Sequence, residues 1–162
     1  MTPPSEERLQ HALDVAYRFL ARRDRTVAEV RGRLEAEEIE EEVVDEAIAE
    51  LSRQGYLDDA RYALRFAEDR RTIDAWGAER IERRLLAVGV DPALVGAALG
   101  ERGDGEELEA ALAVLRRRFP RAPADDRGRD RALGLLVRKG YDLELAYDAL
   151  RRHAGVEAEP LD

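Results

Sequence analysis

The chain has 162 residues, of which 36 are acidic and 27 are basic, and its formal net charge at pH 7 is −9. This length allows one domain of ordinary size or a row of small modules, and it excludes a large multidomain enzyme. More than half of the residues are Ala, Glu, Arg or Leu and none is Cys, which favours a helical protein and excludes disulfides and zinc-thiolate sites.

The N-terminal residues carry no basic segment followed by an apolar run, and no apolar stretch approaches the length of a membrane span. We therefore expect a soluble, cytoplasmic protein. Residues 1–6 are too polar and too close to the terminus to pack, so they are expected to form a flexible tail.

Helical spacing of apolar residues predicts three helices in a first unit, residues 7–56. The first helix carries its apolar face from Leu9 to Leu20. Thr26 is a predicted N-cap for the second helix, with Glu29 completing a capping box. The third helix ends before Gly55 and buries a stripe that comprises Val43, Val44, Ala47, Ile48 and Leu51.

A second unit, residues 57–102, repeats this order. Asp58 or Asp59 is the predicted N-cap of its first helix, whose inward face comprises Ala60, Ala63, Leu64 and Ala67. The second helix is expected from about Gly77 to Val88. Asp91 caps the third helix, with Pro92 at its first position, as helix starts favour.

A third unit, residues 103–154, departs at its first corner. Its first helix is expected from about residue 106 to 119, and Pro120 and Pro123 then indicate a longer loop. Gly140 ends the second helix and Asp142 caps the third. The glycine-rich stretch 100–105 is the expected hinge before this unit, and residues 155–162 are expected to form a flexible C-terminal tail.

The three units share a register of 51 residues. Leu34, Leu85 and Leu136 coincide, as do the sets Ile39, Val90, Tyr141 and Ala47, Ala98, Ala149. Units with so little apolar bulk must stack on their neighbours. The predicted fold is therefore all-α, an elongated, curved array of three tandem three-helix repeats with an open surface in place of a closed pocket.

Candidate catalytic groups are scarce. His11 and His153 lie near opposite ends of the sequence, and no Ser or Thr stands in the sequence context of a catalytic nucleophile. We therefore expect no catalytic residue, no metal and no cofactor, and a protein that is not an enzyme.

Arginines at the corner between the first and second helices recur in every unit, which predicts a shared binding face for an anionic partner. Two of them, Arg80 and Arg84, lie four residues apart on the second helix, where like charges repel unless an anion approaches. Trp76 is either core filler or a contact residue. The candidate partner-binding residues are Arg22, Arg23, Arg25, Arg70, Arg71, Trp76, Arg80 and Arg84.

The most distinctive stretch reads Gly55-Tyr-Leu-Asp-Asp-Ala-Arg-Tyr-Ala63, followed by Arg70-Arg71, Gly77 and a segment from Ile81 to Val90. With the tandem three-helix units, this stretch resembles the RecX family of regulators of the RecA recombinase, over residues 8–152. The motif positions that match are Leu57, Asp58, Asp59, Arg61, Ala63, Gly77 and Leu85, to which we assign capping and packing roles. The third unit departs from the family pattern in its proline-bearing loop.

The resemblance implies a non-enzymatic protein that lies in the groove of the RecA filament on single-stranded DNA, and we expect this protein to be a monomer. It also implies inhibition of filament extension, ATP hydrolysis, strand exchange and stimulation of LexA cleavage, in the context of DNA repair, homologous recombination and the SOS response. Two alternatives stay open at this point. One is a module that binds DNA directly through its arginines, and the other is a generic helical-repeat scaffold.

Overall fold

The computed structural model describes residues 5–155, and all regular secondary structure in that range is helical. The predicted all-α fold class is confirmed. The nine helices of this range are α1 (Ser5–Leu20), α2 (Val27–Ala36), α3 (Glu41–Arg53), α4 (Asp59–Ile73), α5 (Ala78–Ala87), α6 (Pro92–Leu99), α7 (Asp104–Arg118), α8 (Asp126–Lys139) and α9 (Leu143–His153).

The third helices of all repeats and the second helices of the first two repeats follow the 51-residue register. Helices α2 and α5 begin at Val27 and Ala78, and α3, α6 and α9 begin at residues 41, 92 and 143. The backbone agrees, because positive φ angles occur at Glu38, Gly89 and Gly140, which are each 51 residues apart. Helices α7 and α8 leave the register on either side of the loop from residue 119 to 125, and α8 begins at Asp126, before the position that α2 and α5 indicate.

The predicted helix starts are explained by side-chain caps. Thr26 and Glu29 form the predicted capping box, in which each side chain accepts a hydrogen bond from the other residue's backbone N–H at 3.1 Å. Asp58 rather than Asp59 caps α4, because its Oδ1 accepts from the N–H of Arg61 at 3.0 Å. Asp91, Asp125 and Asp142 cap α6, α8 and α9 in the same way.

The termini differ slightly from the expected tails. Helix α1 already includes Ser5 and Glu6, so it begins two residues before the predicted boundary. Gly155 is the last described residue, and the remainder of the two predicted tails, residues 1–4 and 156–162, lies outside the described range.

The helices form two compact units. The N-terminal unit contains residues 5–65 and 85–95, and the C-terminal unit contains residues 66–84 and 96–155. The division runs through the middle repeat, so three repeats in sequence correspond to two compact units in space. The N-terminal core is built around the fully buried Val30, Leu34, Val44 and Leu51, and the C-terminal core around Leu112, Leu115, Leu136 and Tyr141.

Helix α4 buries less than its sequence predicts. Ala63 and Ala67 are buried, but Ala60 is exposed and Leu64 is 44% exposed. The buried residues lie four apart on one narrow stripe, and the other two positions flank it. The expectation that all four face inward is therefore wrong for Ala60 and Leu64.

A polar joint inside the N-terminal unit connects the first repeat to the second. The Thr26 hydroxyl donates to the carbonyl of Val88 at 2.6 Å, and the N–H of Val27 donates to Asp59 Oδ1 at 2.9 Å. Burial raises the pKa of the Asp59 carboxyl above its ordinary value. Gly89 lies against Ala28 so closely that a Cβ on Gly89 would be 2.3 Å from the Ala28 methyl group.

The C-terminal unit contains the same joint one repeat later. The N–H of Gly77 donates to the carbonyl of Lys139 at 2.8 Å, and Gly77 and Lys139 are the register equivalents of Thr26 and Val88. The N–H of Ala78 donates to Glu107 Oε1 at 2.8 Å, as that of Val27 does to Asp59. Each compact unit therefore includes part of the middle repeat because it contains one complete joint.

Candidate partner-binding surfaces

The seven motif residues pack and cap the middle repeat and join it to its two neighbours. Leu57, Ala63 and Leu85 are buried, and Asp58 and Asp59 accept backbone hydrogen bonds as described above. The remaining two also act on the backbone: the Arg61 guanidinium donates to the carbonyl of Gly55 at 2.7 Å, and Gly77 lies in the C-terminal joint.

The first repeat carries a cleft of about 350 Å³ between α1 and α2. Its aromatic element is Phe19, with the Arg25 guanidinium carbon 3.9 Å from the ring centroid and that of Arg33 at 5.9 Å. Arg22 lines the cleft and is exposed, whereas Arg23 forms an ion pair with Glu29. The lining residues are His11, Val15, Arg18, Phe19, Arg22, Arg25, Arg33 and Glu37.

In the middle repeat, Trp76 lies half-buried among an aromatic ring and two guanidinium groups. The Arg80 guanidinium carbon is 4.1 Å from the Trp76 ring centroid and that of Arg70 is 5.8 Å away. Phe66 meets the indole edge to face at 6.1 Å. Trp76 is thus neither fully enclosed core filler nor an isolated contact residue, since cations cover part of its ring.

The other candidate arginines of the middle repeat differ in availability. Arg70 is ion-paired with Asp74 at 2.5 Å. Arg71 is half-buried and donates to the carbonyl of Leu99 at 3.1 Å, and burial lowers the pKa of its guanidinium. Arg84 is exposed on α5. A partner can therefore reach Arg84 more readily than Arg70 or Arg71.

The third repeat carries a second cleft, of about 520 Å³, between the end of α4, α7 and α8. Four cationic side chains and an aliphatic floor line it. The lining residues are Arg71, Ile73, Asp74, Ala75, Ala110, Ala113, Val114, Arg117, Arg118, Leu135 and Lys139.

The surfaces of the first and middle repeats occupy equivalent positions, because Phe19 and Arg70 share a register position, as do Arg25 and Trp76. The third cleft also lies beside the first two helices of its repeat, although α7 does not follow the register. Each repeat therefore carries cations next to its first two helices.

Arg117, Arg118 and Lys139 are cleft residues that the candidate set omitted. The register indicates Lys139, because it corresponds to Glu37 of the first cleft, and Arg117 and Arg118 belong to the arginine-rich corner that the sequence shows in the third unit. The contribution of Ile73 from the preceding repeat depends on the joint, and no sequence pattern indicates it.

Residues 5–155 contain no group of three or more His, Cys, Asp or Glu side chains that could hold a metal ion. None of the helices in this range is long and apolar enough to cross a membrane.

Comparison with known proteins connects this arrangement to a family. The family model for the first three-helix domain of RecX matches residues 12–51, and the model for the second matches residues 58–99. A regulatory protein RecX from Trichlorobacter lovleyi is 37% identical over 135 residues, which cover 80% of this chain and 87% of that relative. The chain belongs to the RecX family.

Other RecX proteins extend the match along the chain. A regulatory protein RecX from Amycolatopsis mediterranei is 31% identical over 164 residues and covers 98% of this chain and 94% of its own length. The crystal structure of RecX from Lactobacillus salivarius has the same fold, with a TM-score of 0.80 at 19% identity over 94% of this chain and 99% of that one. The chain is thus a helical-repeat member of a family of regulatory proteins, which agrees with the resemblance in its sequence.

Proposed function

We propose that this protein binds the RecA filament on single-stranded DNA, within the filament groove, and inhibits its extension. Slower ATP hydrolysis, less strand exchange and less stimulation of LexA cleavage would follow, because each needs an intact filament. The protein acts as a cytoplasmic monomer, without a cofactor and without catalysis of its own. RecX-family membership over most of the chain is the observation that carries this proposal.

The arrangement of the arginines supports it. A nucleoprotein filament repeats its surface along its axis, and a protein with equivalent cationic faces in successive repeats offers equivalent contacts. Exposed guanidinium groups bind carboxylates and phosphates through paired hydrogen bonds. Arg22 and Arg84 are exposed on such faces, and neither forms an ion pair with another of the residues 5–155.

The proposal is tested by ATP hydrolysis of purified RecA on single-stranded DNA, with this protein added up to stoichiometric amounts. Inhibition is expected for the parent chain. Arg22→Glu with Arg84→Glu should raise the concentration for half-inhibition by more than about tenfold, because charge reversal places like charges across the contact. Unchanged ATP hydrolysis at stoichiometric parent protein would refute the proposal.

A matched control separates local contacts from net charge. Arg127→Glu with Arg131→Glu makes the same change in total charge at exposed positions of α8 that are not among the candidate residues. The half-inhibitory concentration of this control should stay within about twofold of that of the parent, since neither side chain belongs to the proposed contact. Equal losses in both variants would mean that net charge, and not the proposed contact, determines inhibition.

A further inference from the structure

Of the four cationic side chains that line the third-repeat cleft, two form hydrogen bonds within the protein and two do not. Lys139 Nζ donates to the carbonyl of Asp74 at 2.7 Å, and Arg71 donates to that of Leu99. Arg117 and Arg118 are exposed and form no ion pair or hydrogen bond with any other residue between 5 and 155. These two guanidinium groups are therefore available to an anionic ligand.

No carboxylate of the cleft competes for them. Asp74 is the one acidic residue among those that line it, and its Oδ2 lies 2.5 Å from the guanidinium of Arg70. The cleft consequently has an unbalanced positive charge, although the whole chain carries −9.

The floor of the cleft is aliphatic. Ile73 is 70% exposed there, and the other apolar lining residues are Ala75, Ala110, Ala113, Val114 and Leu135. An exposed side chain of this size gains free energy when a partner covers it.

This floor favours a peptide over a nucleic acid. Proteins that bind single strands use aromatic rings on which the bases stack. None of the described side chains that line this cleft is aromatic, in contrast to Phe19 in the first repeat and Trp76 in the middle one.

From this combination we propose that the third-repeat cleft binds an extended, acidic segment of a partner protein that carries leucine-sized side chains. Its carboxylates pair with Arg117 and Arg118, and a leucine covers Ile73. This inference goes beyond the RecA proposal, because it assigns the third-repeat cleft a peptide ligand whose binding is measured in the absence of RecA.

The test is fluorescence anisotropy of the full chain with a fluorescein-labelled peptide of the sequence Gly-Glu-Asp-Leu-Glu-Asp-Leu-Glu-Gly. Saturable binding is expected. Arg117→Glu with Arg118→Glu should weaken it by more than about tenfold, since reversed charges face the peptide carboxylates. Ile73→Ser should weaken it several-fold, and this loss should disappear when serine replaces both leucines of the peptide.

Two controls determine what the result means. Arg116→Glu with Arg121→Glu makes the same charge change on exposed residues of the same region that do not line the cleft, so binding should weaken much less than in the Arg117→Glu, Arg118→Glu variant. A fluorescein-labelled oligothymidylate is the second probe. Absence of saturable peptide binding, equal losses in both double variants, or tighter oligothymidylate binding that depends on Arg117 and Arg118 would each overturn the inference.

Discussion

The C-terminal joint gives the sharpest test of how the repeats are held together. Gly77 has no positive φ, so an alanine there is conformationally allowed, and its effect depends on space alone. A Cβ on Gly77 would lie 2.5 Å from the carbonyl carbon and oxygen of Gly140 and 2.6 Å from the nitrogen of Tyr141. All three are backbone atoms, which cannot rotate away as a side chain can.

The expected cost of Gly77→Ala has two parts. Insertion of a methyl group into a closed contact costs about 1–3 kcal/mol. Separation of the segments also weakens two hydrogen bonds, from the N–H of Gly77 to Lys139 and from the N–H of Glu79 to Gly140, each worth about 1 kcal/mol. We therefore expect a loss of about 3–5 kcal/mol in the free energy of unfolding.

The assay is urea denaturation followed by circular dichroism, with Gly32→Ala as the matched control. Gly32 lies within α2, and a Cβ there would meet nothing within 4 Å. Since alanine favours a helix interior over glycine, the control should gain about 0.5–1 kcal/mol. If Gly77→Ala proves as stable as Gly32→Ala, the close backbone contact does not exist in solution.

Two further predictions concern buried titratable groups. Asp59→Asn keeps an oxygen acceptor for the N–H of Val27 and removes a buried charge, whereas Asp59→Ala loses the acceptor. Because burial raises the pKa of Asp59, the free energy of unfolding of the parent falls as pH rises through that raised pKa. At pH 7, urea denaturation should therefore give the Asn variant a free energy of unfolding equal to or above that of the parent, and the Ala variant a value about 1 kcal/mol lower than the parent. An Asn variant less stable than the Ala variant would contradict this account. Burial also raises the pKa of Tyr141 to about 12. The contribution of the neutral phenol to the free energy of unfolding is therefore complete below about pH 10 and is lost as pH rises through 12. Tyr141→Phe loses the hydrogen bond to the carbonyl of Ala75 and should be about 1 kcal/mol less stable than the parent at pH 7. This difference in stability should shrink between pH 10 and 12, and a constant difference would refute the raised pKa of Tyr141.

The parts of the fold that depend on nearby residues could be predicted from the sequence. Thr26 and Glu29 cap α2 because both act within one helical turn, and Asp142 caps α9 for the same reason. The register also placed the third helices correctly, because each repeat has the same hydrophobic spacing.

Contacts between distant residues could not be predicted in this way. The helical spacing predicts that Arg71 and Arg84 are both exposed. Arg71 is nevertheless half-buried, because its guanidinium reaches the carbonyl of Leu99, 28 residues away. The expectation that Leu64 faces inward was wrong for a related reason, since the segments that pack against a helix determine which of its faces is buried. Joint contacts such as Gly77 with Lys139 span still longer separations.

The chain can have a negative net charge and still carry cationic surfaces, because the acidic residues and the arginines are concentrated on different helices. Within the N-terminal unit, Glu41, Glu42, Asp45 and Glu46 lie on α3, and the arginine cleft lies between α1 and α2. Ion pairs such as Arg31 with Asp45, at 2.9 Å, neutralise part of the acidic segment. Because exposed charges act over about one Debye length, an anionic partner responds to the nearest face rather than to the total of −9.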